Sequence, residues 1–344
     1  MPRSPTAATP FVPTRRPAWR RPMAGLMALL LLAGCVTTRA ARIGEDDGDA
    51  CRAQLVALDS TGDFFAEDIL RGAAMGAAGG AALGALFAAA TGQRGSGIAT
   101  GAAIGAVGGG LAGGTAGYLA ARRQQAADQA TLDGAIAGDL AAENAQMDRT
   151  QRAFDQLMEC RLGQAARIRA DLRDGRVARP QAEAAMASLR ASTQRDIQLA
   201  QTINGRILRR GAEFDTAIET VAPGANQAAA QPAPAVAAAA RGPVKLRLRP
   251  EADAPEVVSL APREDVTLRP ARNGYARVQT AGGLRGYAPA SAFPEARALP
   301  PAAVEQPGDV RSLAASNIAR RDDFAASIGT AERLTQGQGF EMAS

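Results

Sequence analysis

Apolar positions recur along this chain with different periods, and each period predicts a different element. From Gly72 to Ala120, two apolar stretches, residues 72–90 and 97–120, flank the polar turn around Gln93 and Arg94. In the first, Gly72, Gly76, Gly80 and Gly84 recur at every fourth residue and Ala88 continues the row. In the second, Gly97, Gly101, Gly105, Gly109, Gly113 and Gly117 form an unbroken row. Fourth residues stack on nearly one face of an α-helix, so each stretch predicts a helix with a groove bare of side chains. In water such helices are poor, because each interior Gly costs about 0.8–1 kcal/mol relative to Ala. In lipid the backbone has no other partner, and small-xxx-small rows are how membrane helices pack. Each stretch is close to the ~20 residues that span a bilayer core. Ala and Gly are only weakly apolar, so a hairpin inserting as a packed pair fits better than two solitary crossings. A Gly/Ala linker is the bland alternative; ten glycines in two registers argue against it.

Beyond residue 120 the period becomes that of a narrow coiled-coil stripe. Met147, Phe154, Met158, Leu162, Ala165, Ile168 and Leu172 form one row; Met186, Leu189, Ile197, Ala200, Ile203, Ile207, Phe214 and Ile218 form another. Gly175 reads as a helix stop and Pro180 as a first helical residue, which predicts an antiparallel helical hairpin. Its return arm of about 40 residues would be roughly 60 Å long. Gly134 and Gly138 mark a break in the outgoing arm, and the interleaved Arg and Glu read as a solvated face. Residues 222–242 read as an Ala/Pro linker. After it the period falls to two, in Val244-Lys245-Leu246-Arg247-Leu248, Val266-Thr267-Leu268 and Tyr275-Ala276-Arg277-Val278, punctuated by Asn273-Gly274 and Gly282-Gly283. Four to six short strands in a small barrel follow from that spacing. A last amphipathic helix is expected over 309–334, with Asp309 as its N-cap; it either returns to the bundle as a third helix or stays apart.

The first 34 residues read as a targeting segment: an Arg-rich leader ending at Arg21, a short apolar run, and Leu32-Ala33-Gly34-Cys35. That ending resembles the bacterial lipobox, which implies a diacylglycerol on Cys35, cleavage before it, and, with Val36 next, sorting to the outer membrane. The formal net charge of +5 comes from the leader. Without Arg3, Arg15, Arg16, Arg20 and Arg21, basic and acidic residues are equal at 34 each, which removes the footprint of a nucleic-acid binder. Cys51 and Cys160 remain as an even pair outside the cytoplasm, a candidate disulfide, with two unpaired thiols as the alternative.

The glycine rows resemble the glycine-zipper segment of proteobacterial envelope lipoproteins, the group containing the rickettsial 17 kDa surface antigen. The stretch from Leu246 to Leu260, then 273–278, then Gly286-Tyr287-Ala288-Pro289-Ala290-Ser291-Ala292-Phe293, resembles a bacterial SH3 domain. Tyr275 and Tyr287 stand where its members usually carry Trp. The resemblance implies binding of cell-wall peptide or a protein partner; Tyr275 and Tyr287 either stack on that ligand or fill the barrel.

The fold class expected is therefore mainly α: a glycine-zipper hairpin (72–120), a coiled-coil hairpin (121–221) and a small all-β SH3-like barrel (243–294). They lie between a lipid-anchored segment (35–71) and a tail (295–344). The chain has no His, the usual general base and commonest metal ligand. No phosphate-cradling loop qualifies, since no Lys-Ser/Thr follows the glycines. Neither an enzyme nor a cofactor or metal site is expected. The reading is a membrane-anchored structural or adaptor protein of the outer membrane facing the periplasm. Its expected partners are membrane lipid, its own copies through the zipper, and peptidoglycan or an envelope protein. The alternative is an oligomeric pore or secretion-conduit component.

Overall fold

A computed structural model describes residues 39–65, 118–119, 122–123, 125–231, 234–302, 304–337 and 339–342. Cys35 and the ten row glycines lie outside the described residues, as does the targeting segment. Residues up to Glu45 form one unit, represented by helix α1 (Arg39–Ile43); residues from Asp46 onward form a second. The second is mainly helical, with a six-stranded antiparallel sheet toward its C-terminal end. Among the described residues no helix is long and apolar enough to cross a membrane.

The expected helical period appears as two long helices, α3 (Gln129–Arg173) and α4 (Arg179–Val221); residues 52–65 before them form α2. Gly175 takes φ +71° at the end of α3, a conformation open to glycine without strain, and Pro180 opens α4. The pairs Arg161–Asp196 and Arg210–Glu143 show that α3 and α4 run in opposite directions. All eight residues of the second apolar row are buried. The outgoing arm does not break at Gly134 and Gly138. Leu132, Ile136 and Leu140 are fixed in a common core with Phe214 and Ile218, and that packing outweighs the glycine penalty.

The tail helix, α6 (Val310–Gln336), is the third member of the bundle, its N-terminus capped by the Asp309 carboxylate accepting from Arg311 N and Ser312 N. It runs parallel to α3, through Asn144–Asn317 (2.9 Å) and Phe154 against Phe324 (centroids 5.8 Å), and antiparallel to α4, through Arg321–Asp215 (2.7 Å). Gly211 on α4 leaves room for the Arg321 side chain to cross, since a Cβ there would fall 2.8 Å from its guanidinium carbon. Beyond α6, Phe340 plugs the turn end of the bundle against Ala165, Met186 and Leu189. Arg169 and Arg190, one from each arm, donate to the carbonyls of Gly339 and Phe340.

Each long helix faces more than one neighbour, so charged residues are drawn inside where a solvated face was expected. Arg161 is 2% exposed and donates bidentately to Asp49 (2.8 and 2.6 Å) and through Nε to Asp196 (2.7 Å). Burial alone would raise the carboxyl of Asp49, but the Arg161 and Cys51 N–H hydrogen bonds hold it below its ordinary value; burial keeps that of Asp196 above it. Beside this ion cluster, two residues from Asp49 and one from Arg161, Cys51 is bonded to Cys160 (Cα–Cα 5.9 Å), joining the start of α2 to α3.

The linker expected over 222–242 holds a short helix, α5 (Ala225–Ala229), and strand β1 (Val236–Ala239). The remaining strands are β2 (Val244–Arg247), β3 (Glu256–Leu260), β4 (Asp265–Pro270), β5 (Tyr275–Thr280) and β6 (Arg285–Pro289), in the order β1-β4-β5-β6-β2-β3. Asn273 and Gly274, both at positive φ, make the tight β4–β5 turn. The sheet is not closed: β1 takes the outer hydrogen bonds of β4, and β1 and β3 are left as the two edges. One face buries Leu246, Val266, Leu268, Ala276, Val278 and Ala288 under Phe293.

Removing the guanidinium from the ion cluster leaves Asp196 buried without its cation. Arg161→Ala should lower stability by about 3–5 kcal/mol in urea unfolding, while Arg161→Ala with Asp196→Ala should recover part of that loss.

Candidate functional site

The described residues on either side of the glycine-rich segment meet one patch of α4. On the entry side, Gly62 of α2 lies against Ile203, where a Cβ would fall 2.9 Å from its Cγ1, and the Gly62 carbonyl accepts from Arg206 (3.1 Å). Phe65 is fully buried and meets Phe64 edge-on (5.2 Å). On the exit side, the Tyr118 ring meets Phe214 at 5.2 Å, and its hydroxyl donates to Asp139 on α3 (2.6 Å). Arg122 closes on the same carboxylate through Nε and Nη2 (2.7 and 2.6 Å). Burial and the Asp139 hydrogen bond push the Tyr118 phenol upward.

Arg210 connects the two sides. Its guanidinium lies 4.9 Å from the Phe64 ring and 5.6 Å from the Phe214 ring, and it donates to the buried Glu143 (2.6 Å). A cation between two aromatic faces and a carboxylate, removed from water, is held by both quadrupole and charge. Phe65 and Tyr118, on either side of residues 66–117, therefore stand at neighbouring points of the bundle, inside the loop closed by the Cys51–Cys160 bond. Of these clamp residues the sequence pattern singled out Phe214 alone, as a member of the second apolar row. The clamp's readable trace is the aromatic pair Phe64-Phe65 before the glycine rows and Tyr118 after them.

The other nominated residues, Tyr275 and Tyr287, lie on the sheet face opposite the apolar core, both half-buried. Strand register puts Arg269, Arg277, Tyr287 and Arg247 in one row across β4, β5, β6 and β2, and Tyr275 two residues from Arg277 on the same face. The two tyrosines thus share a face, and neither fills the sheet's core. That face turns to the helices: Arg277 pairs with Asp323 of α6, Arg249 with Glu159 of α3 (2.6 Å), and the Arg285 N–H donates to Thr330 Oγ1 (3.2 Å). Burial pushes the Tyr287 phenol up to about 12. Among the described residues no cluster of three His, Cys, Asp or Glu is arranged to hold a metal ion.

Two grooves lie near the disulfide and share Arg167. The larger, about 560 Å³, is lined by Asp49, Arg161, Arg167 and Ser188; the smaller, about 370 Å³, by Gln54, Glu159 and Cys160. Comparison with protein families, curated proteins and solved structures finds no match to this chain.

Replacing the connecting cation should loosen both flanks together. Arg210→Met is expected to raise trypsin cleavage at Arg122 and Arg123 by about 10-fold, the equivalent of ~1.4 kcal/mol in local opening. Arg210→Lys should restore little of the protection, because it lacks the flat guanidinium that covers both rings. Cleavage rates on the oxidised full chain check this.

Proposed function

We propose that this protein is a non-enzymatic envelope lipoprotein, anchored by acyl chains on Cys35, whose glycine-rich segment enters the bilayer as a helical hairpin. The observation that carries the reading is the clamp. A segment crossing once would need ends on opposite sides of a membrane, whereas residues 65 and 118 are fixed to the same stretch of α4 through Phe64, Phe214 and Arg210. Two apolar stretches of similar length joined by a polar turn, with neighbouring ends, suit an out-and-back path. Each glycine row then supplies the close contact between the two halves or between copies.

In this reading α3 and α4 act as coiled-coil arms that carry the bundle off the membrane, and the sheet is an SH3-like adaptor module. The alternating strands, the Asn273-Gly274 turn and the apolar core under Phe293 support the module, and its open sheet is the departure from that pattern. Its partner is cell wall or an envelope protein, with Tyr275, the first residue of β5, as the side chain that would meet it. An acyl chain already supplies ~0.8 kcal/mol per buried methylene, so the hairpin serves association more than retention.

Washed envelopes carrying the full chain test the reading. After alkaline carbonate the protein should float with lipid, and residues 72–120 should resist a protease that cuts at the exposed Arg241. Release from lipid, with 72–120 digested as fast as Arg241, overturns it. In detergent a monomer or dimer supports an adaptor, and a ring-sized species that Gly105→Leu with Gly109→Leu abolishes would replace it with a conduit.

A further inference from the structure

Where the sheet meets the bundle, Asp155 of α3 is 7% exposed, with one carboxylate oxygen accepting from Gln151 Nε2 (2.8 Å). Gln151 also donates to Ser327 of α6 (3.0 Å), which ties the carboxyl to the second helix under the sheet. The charged and titratable groups around Asp155 come from every element at this contact. Its own helix contributes Glu159, the β2–β3 loop Arg249 and Glu251, and β6 Tyr287. Beyond Tyr287 lie Arg277 of β5, Arg285 of β6 and Asp323 of α6. Arg249, a cation that acts on Asp155, is committed to Glu159 (2.6 Å) and Glu251 (3.1 Å). Arg277 is likewise held by Asp323. Arg249 and Arg277 are thus matched to other carboxylates, Arg285 turns its Nε to Gln279 (3.3 Å), and Asp155 is enclosed with a neutral amide and a phenol.

We propose that the contact between the sheet and the helical bundle is a proton-sensitive joint: protonated Asp155 lets the sheet seat on α3 and α6, and loss of that proton loosens the seat. Burial is the largest influence on Asp155 and pushes its carboxyl up to about 7 from an ordinary 3.8, against the opposing pull of the Gln151 hydrogen bond and Arg249. The sign follows from linkage. The seated form binds the proton more tightly than the open form, so seating is strongest below the ordinary value. It weakens as pH rises toward 7 and is constant above that. The tail helix stays in the bundle throughout, because Leu313 belongs to the core it shares with α3 and α4, and Phe324 packs on Phe154 of α3. Opening would uncover the row Arg247, Tyr287, Arg277 and Arg269.

The Arg285 amide, which donates across the joint to Thr330, is the reporter. In the oxidised full chain, its hydrogen-exchange protection, corrected for the intrinsic rate, should fall on the order of 100-fold between pH 5 and pH 8. Amides in the buried middle of α4, such as that of Ala200, should hold theirs. Asp155→Asn, which imitates the protonated group, should keep the Arg285 amide equally protected at both values. Equal protection in the wild-type chain at pH 5 and pH 8 overturns the proposal, as does an Asp155→Asn chain that loses protection like the wild type. A direct carbon-13 titration of the Asp155 carboxyl in the wild-type chain stands apart from the variant's folding. A midpoint near 7 supports the joint, and one near 3.8 removes it.

Discussion

The described residues on the two sides of the glycine-rich segment are both held by α4. Phe64 and Tyr118 are brought to one helix by Arg210 and Phe214. The arrangement works because α4 is already pinned on two other sides. Its apolar row is buried, Phe214 and Ile218 in a core shared with α3, and Arg321 of α6 reaches across Gly211 to Asp215. The third helix therefore has a role beyond adding core: it fixes the helix to which the glycine-rich segment is attached.

Polar contacts inside the bundle set register where the apolar seams alone would tolerate sliding. Leu, Ile and Ala seams repeat, and a one-turn shift keeps most of them buried. The Asn144–Asn317 pair, the Arg161 cluster and Arg210–Glu143 do not repeat, so each is satisfied in one alignment only. Their electrostatic contribution is small once desolvation is subtracted. Their cost in a shifted alignment is large, because every shifted alignment buries charges away from their partners.

Much of the helical architecture was legible because its signals are local. The stripe from Met186 to Ile218, the stop at Gly175, the start at Pro180 and the cap at Asp309 each act within one or two turns of the residue that carries them. What was not legible depends on neighbours distant in sequence. Gly134 and Gly138 stay helical because of Phe214 and Ile218. The Ala-rich β1 is a strand only because β4 offers it an edge. Arg161, Glu143 and Asp196 have the composition of a wet face and are buried because α3 and α4 each have several neighbours. The candidate sites divide the same way. Cys51 and Cys160 could be paired by count, and the shared face of Tyr275 and Tyr287 follows only from strand register. The clamp at Arg210 needs three separate parts of the chain to meet.

The sulfur bridge also governs how damage to this molecule would show itself. Every peptide bond from 52 to 159 lies within the ring it closes. A single backbone scission anywhere in that interval leaves one covalent molecule of unchanged mass apart from an added water. The two pieces would part company on a denaturing gel only after a thiol reagent had opened the ring.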